Sequence, residues 1–312
     1  AHAAQLHKLL EKTLASDQIE LLDAARPVLA RLCSILPPTE EELPQNEDVR
    51  AFGTAAETAI SEGLKNGTGL ASALALLDAW SHTHPGVIDR HQLPLIKTLT
   101  RLAKEHLSGH GGDAALRHLL RVLSLLRSRI SHLGDQRRWF LSAVVQLVEK
   151  SPSGALARFL LDMVRTWVLE ASEPFPTVKE KAGILIKMLC FEQRSDASLF
   201  HAYLEVILAI YQRPALARTE LTARLESAFL RGCRSADVAQ RRAFVALLDK
   251  TLTRSVSGRV LHLLGFQSWE CVGNTYFVHQ LLDLLLPALD GTQLLVGAAG
   301  GGGGGGAEAP DA

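Results

Sequence analysis

The chain has 312 residues, 47% of them hydrophobic and 21% charged. That is enough apolar surface to offset ordering entropy, so a wholly disordered, collagen-like or disulfide-scaffold chain is excluded. Lys and Arg total 33 and so do Asp and Glu, so no whole-molecule field favours non-specific binding to DNA or an acidic membrane.

Aromatic residues make up only 5%, and Leu and Ala dominate. That palette enters helices at little cost, whereas strands favour β-branched and aromatic side chains. The opening AHAAQLHKLLEKTL is an amphipathic start broken by charge, not a signal peptide. A start at Ala1 and a glycine-rich end are what a piece of a longer chain would show. Periodic apolar spacing predicts helices over residues 18–36, 47–64, 70–81, 93–107 and 113–131. Pro27 is expected to kink or end the first of these. Between Pro37 and Asp48, PPTEEELPQNED is acidic, rich in proline and without period, and reads as an exposed loop. GHGGD around Gly111 reads as a flexible joint.

From Asp135 the helices come in pairs, 135–150 with 154–171, 177–191 with 196–212, and 215–232 with 236–255. Leu156, Phe159, Leu160, Met163, Val164, Trp167 and Val168 fall at steps of three and four, on one helical face. Phe140, Ala143, Val144, Leu147 and Val148 repeat the pattern, as do Phe200, Tyr203, Leu204, Ile207, Leu208 and Tyr211, and Leu221, Leu225, Ala228 and Phe229. Thr177-x-x-Glu180 and Asp237-x-x-Gln240 fit a capping box or its Asp variant. Pro152, Pro174, Pro176 and Pro214 punctuate the segments. Pair starts about 40 residues apart match HEAT and armadillo units, which bury their apolar faces only by stacking. No sustained period-two alternation occurs. The expected fold is therefore all-α, an α-solenoid of stacked HEAT/armadillo/TPR-like pairs. Residues 1–134 are an irregular helical-repeat region, 135–290 regular pairs, and 291–312 a disordered glycine-rich tail.

Cys33, Cys190, Cys233 and Cys271 lie far apart without C-x-x-C spacing and read as small buried hydrophobes. No apolar run reaches the roughly 18 residues a membrane span needs. His82, His84, His91, His106 and His110 are the one metal-like cluster. Lacking H-E-x-x-H order, they read as polar residues at helix ends and in loops, and no metal or other cofactor is expected.

Arg127, Arg129, Arg137 and Arg138 flank one turn, and Arg218, Arg224, Arg231 and Arg234 recur along another segment. They read either as phosphate contacts or as solvated helix faces paired with carboxylates such as Glu220 and Glu226. The second reading is preferred, so no direct nucleic-acid contact is expected. P-loop, G-x-S-x-G and kinase H-R-D and D-F-G signatures are absent, as is G-x-G-x-x-G after a strand. No catalytic residue is expected, and no small-molecule substrate. Trp139, Trp167 and Trp269 read as core residues rather than partner anchors.

FLSAVVQLVEKSP (Phe140 to Pro152), TVKEKAGILIKML, ELTARLESAFLRGCR (Glu220 to Arg234) and WECVGNTYFVHQLLDLLL (Trp269 to Leu286) resemble, in order and spacing, the transformation/transcription domain-associated protein family. The resemblance covers Trp139 to Leu289. Before Gly134 it extends to helical character alone. It implies a segment of a long solenoid of HEAT- and TPR-like helices that ends in FAT and catalytically inactive kinase domains. It further implies a nuclear, non-catalytic coactivator scaffold. Its expected partners are subunits of SAGA-type histone acetyltransferase complexes and transcriptional activators. The alternative is the regulatory solenoid of an active phosphatidylinositol-3-kinase-related kinase. A transport adaptor rests on the repeat period alone.

Overall fold

In the computed structural model the described residues are 11–36, 47–170, 174–251, 255 and 257. Most of the 37–48 loop, Ala171, Trp269, Cys271, the Trp269–Leu286 block and the glycine tail lie outside them. The described residues are helical, with no strand. In chain order, after the helical residues 11–16, the helices are α1 (Ile19–Cys33), α2 (Glu47–Asn66), α3 (Leu70–Ser81), the single turn α4 (Val87–Arg90), α5 (Gln92–Leu107) and α6 (Gly112–Arg127). Then come α7 (Gln136–Lys150), α8 (Gly154–Arg165), α9 (Val178–Lys187), α10 (Ala197–Gln212), α11 (Glu220–Arg224), α12 (Glu226–Gly232) and α13 (Val238–Thr251). Two compact units result, Ala1–Met188 and Leu189–Ala312. The division between irregular and regular repeats read from the sequence falls at Gly134, between α6 and α7.

In the first unit α2, α5, α7 and α9 pack side by side in that order. Their polar ties show that they run parallel. His91 reaches Glu57, and Thr98 Oγ1 donates to the Leu64 carbonyl at a separation of 34 residues, so both helices advance together. Between α5 and α7, Gln92 donates to the His132 carbonyl at one end and His106 bonds Ser151 at the other. Between α7 and α9, Arg137 meets Glu180 near the starts and Glu149 meets Lys187 near the ends. The second helices α3, α6 and α8 pack against one another in turn. First helices start at Glu47, Gln92, Gln136 and Val178, a period of 42–45 residues that falls in the HEAT range.

The core is built from the predicted stripes. Leu156, Leu160, Met163 and Val164 are fully buried, and Trp167 and Val168 nearly so. Phe159 departs from the stripe. It is half-buried, with the Arg127 guanidinium over its ring at 5.8 Å. Leu160→Ala is therefore expected to cost about 2–5 kcal/mol and Phe159→Ala clearly less, as urea melts of the two variants would show.

Local chemistry sets the ends. Thr177 and Glu180 form the full capping box at the start of α9. Asp237 accepts from the Gln240 N–H, but the reciprocal bond is missing. The Gln240 side chain goes instead to Ser235 and the His201 carbonyl, tying α10 to the α13 turn. Helix α1 runs through Pro27 to Cys33. Pro27 and Asp23, whose carbonyl loses its partner there, are exposed, while Leu22, Leu29 and Cys33 anchor the opposite face. The helix predicted over 215–232 is two pieces broken at Leu225. The Tyr211 hydroxyl donates to the Thr222 carbonyl at 2.6 Å, competing for the acceptor that a continuous helix would offer to Glu226.

The second unit has an aromatic core. Phe191 and Tyr203 meet edge to face at 6.3 Å. Tyr211, Phe229 and Phe244 continue in sequence at 4.3 and 5.3 Å. Burial pushes the Tyr203 and Tyr211 hydroxyls well above the usual phenol range.

Candidate interaction surface

The histidine cluster does not converge. His82 is exposed, and His110 bonds its neighbour Ser108. His106 joins Ser151 at 2.7 Å. His91 is buried 3.0 Å from Glu57, off the hydrogen-bonding direction, and its imidazole holds that carboxyl below the usual range. Among the described residues no His, Cys, Asp or Glu group could hold a metal. Cys33 and Cys233 are buried hydrophobes, their thiols pushed up to about 11 and about 12 by burial. Among the described residues no helix is long and apolar enough to cross a membrane.

The arginines find carboxylates. Arg127 meets Asp162 at 3.3 Å, Arg129 holds Asp89, and Arg137 meets Glu180 at 3.4 Å while lying 3.8 Å over the Phe175 ring. In the second unit Arg224 pairs with Glu220 one turn away, and Arg231 and Arg234 both bond Glu192. Sequence reasoning missed Glu192 because its partners lie about 40 residues downstream and meet it only in the folded unit. Arg218 is exposed, with a left-handed backbone.

His118 of α6 is half-buried, and burial pushes its imidazole below the ordinary value. Asp17 opposes that shift, while Arg121, Arg101 and Arg117 add to it. Above about pH 6.5 both the folded and unfolded forms hold it neutral. As pH falls below that value, the unfolded chain takes up a proton that the folded chain resists, so stability falls. Urea midpoints should therefore drop from pH 7.5 to 5.5, and His118→Asn should flatten the drop.

Trp167 is core, in edge contact with Phe140 at 6.1 Å. Trp139 is not, since it is 66% exposed, which corrects the core reading. Its neighbour Phe140 carries the burial of this turn, one helical step of about 100° away. Arg137 and Glu149 mark the flank of α7 that meets α9. Trp139 is turned from them by about 160° and 80°, onto the flank toward α5. On α5, Thr98 and Arg101 mark the side that meets α2. Leu93, 48% exposed, is turned from them by about 140° and 80°, toward α7. Both residues stand in the first turn of their helices, whose starts and ends are aligned.

At the same end of the two helices Lys97, Asp135 and Arg138 are exposed, and at the other end Lys104 and Lys150 are. The acidic residues of the two helices, Glu105 and Glu149, are engaged by Arg101 and Lys187. Trp139 and Leu93 are thus two exposed apolar side chains on neighbouring parallel helices.

Parallel layers of paired helices at this period, with polar side chains spent on ties between repeats, define a HEAT-type solenoid segment. Residues 1–299 match the family described as the Tra1 HEAT repeat ring region, and the chain belongs to that family. It is 32% identical over 300 residues to the SAGA complex/NuA4 acetyltransferase complex subunit Tra1 of Schizosaccharomyces pombe, covering 91% of this chain. It is 32% identical over 295 residues to the corresponding TRA1 subunit of Saccharomyces cerevisiae, covering 90%. To the human transformation/transcription domain-associated protein it is 28% identical over 294 residues, covering 86%. The chain spans 8% of the length of each of these relatives. The match reaches back to residue 1, so the region before Gly134 shares family sequence and not helical character alone. The matched region is a HEAT repeat region, not a kinase domain.

Proposed function

We propose that this chain is a non-catalytic scaffold segment of a nuclear transcription coactivator, part of the subunit through which SAGA-type histone acetyltransferase complexes meet transcriptional activators. The observation that carries the reading is family membership along 1–299, with relatives named as subunits of SAGA and NuA4 acetyltransferase complexes. The physics supports it. Each repeat contacts mainly its neighbours, so surface accumulates with length, and the polar side chains described are consumed in holding repeats together. Because the described arginines are largely spent on carboxylates, direct nucleic-acid contact is not part of the proposal. Affinity isolation of the full-length protein from nuclear extract should recover acetyltransferase subunits. Recovery of none of them overturns the proposal.

A further inference from the structure

Helix α1 is held differently on the two sides of Pro27. Proline has no N–H, so the Asp23 carbonyl loses its partner inside the helix and the rod is weakest there. After Pro27 the chain is anchored by buried Leu29, Cys33 and Leu36. Before it the buried apolar cluster is small: Ile19 and Leu22 against Ala71 of α3, with Leu14 and Ala75 partly buried beside them. A groove of about 200 Å³ lies against this first half, and Leu22, Leu74, Ala75, Leu120 and Leu125 of α1, α3 and α6 help to line it.

Charge supplies what the first half lacks in apolar contact. Glu20 meets Arg117 at 2.6 Å and Asp23 meets Arg121, so the start of α1 is tied to α6, 97 and 98 residues downstream. Arg26 meets Asp78 of α3 at 2.5 Å. In the turn before α1, Asp17 accepts from the Ser72 N–H at 2.8 Å, and the Ser72 hydroxyl donates to the Leu14 carbonyl at 2.6 Å. Asp17 thereby caps α3, whose own cap position is Gly69, with no side chain to offer.

We propose that residues 11–26 form a strap, hinged at Pro27 and latched by charge onto α3 and α6. When Glu20 and Asp23 part from Arg117 and Arg121, the strap lifts while residues 28–36 stay seated. Each exposed ion pair is weak alone and screened by salt, so a modest change of charge is enough to open the latch. Lifting uncovers the apolar groove and takes the Asp17 cap from the first turn of α3. The strap is then a unit that opens separately from the well-packed helices beneath it. The proposal goes beyond the scaffold reading and does not depend on it.

The test is amide hydrogen exchange, read by mass spectrometry on the full-length protein in its purified assembly. Amides of residues 23–26 should exchange about fivefold faster than those of 29–33. Raising salt from about 0.05 M to about 0.5 M should speed the first set by about threefold and leave the second unchanged. Arg117→Ala with Arg121→Ala should give the same acceleration at low salt and remove the salt response. Exchanging the charges, Asp23→Arg with Arg121→Asp, should restore most of the protection that Arg121→Ala loses. Pro27→Ala returns the missing hydrogen bond and should bring the two halves to similar rates. Equal rates in the two halves of the wild type overturn the proposal, as does a first half indifferent to the arginine variants. Arginine variants that loosen α5 and α7 equally also overturn it, because the ion pairs would then serve the whole unit and not a latch.

Discussion

Gly232→Ala is expected to destabilise the second unit by about 1–3 kcal/mol, although alanine is the better helix former by about 1 kcal/mol. A Cβ at Gly232 would stand 2.4–2.5 Å from three atoms of the Phe244 ring, a distance at which something must move. Phe244 is fully buried and meets Phe229 edge to face, so the ring has little room to yield. The clash would open the contact between α12 and α13, and amide exchange should rise there while α7 and α8 stay protected. Adding Phe244→Leu should recover part of the loss. A Gly232→Ala chain as stable as the wild type would mean that α13 does not pack as described.

The second large effect is a contrast between adjacent residues. Phe140→Ala is expected to cost about 3–5 kcal/mol, because Phe140 is fully buried and packs edge to face on Trp167. Trp139→Ala is expected to stay within about 0.5 kcal/mol of the wild type, because its ring lies mostly in water. Urea melts of the two variants decide the matter. A large loss for Trp139→Ala would place its ring in a packed environment.

That contrast also shows what could be read from the sequence. Trp139 and Phe140 share one apolar stretch, and local pattern gave both to the core. Which of two adjacent large residues turns inward depends on where α5 lies, and α5 is placed by ties such as His106 to Ser151, 45 residues apart. The same limit explains the break at Leu225, imposed by a tyrosine 11 residues upstream of the carbonyl it bonds. Features that depend on a single turn were legible. The Thr177–Glu180 box needs only four consecutive residues, and the Leu156-to-Val168 stripe needs only the helical period. The regularity of residues 47–127 was harder to see, because the short α3 and the interposed turn α4 mask a period that the starts at Glu47 and Gln92 restore.

The parallel ties of the first unit have a mechanical meaning. Along α2, α5, α7 and α9, successive helices are linked by a few discrete polar bonds, most of them near helix ends, and by apolar packing between them. Tension applied along such a row is borne in series, so each junction feels the whole load and the weakest gives way first. The segment would therefore lengthen under force in steps of one helix pair, with the remaining pairs intact and able to recapture the one that was lost.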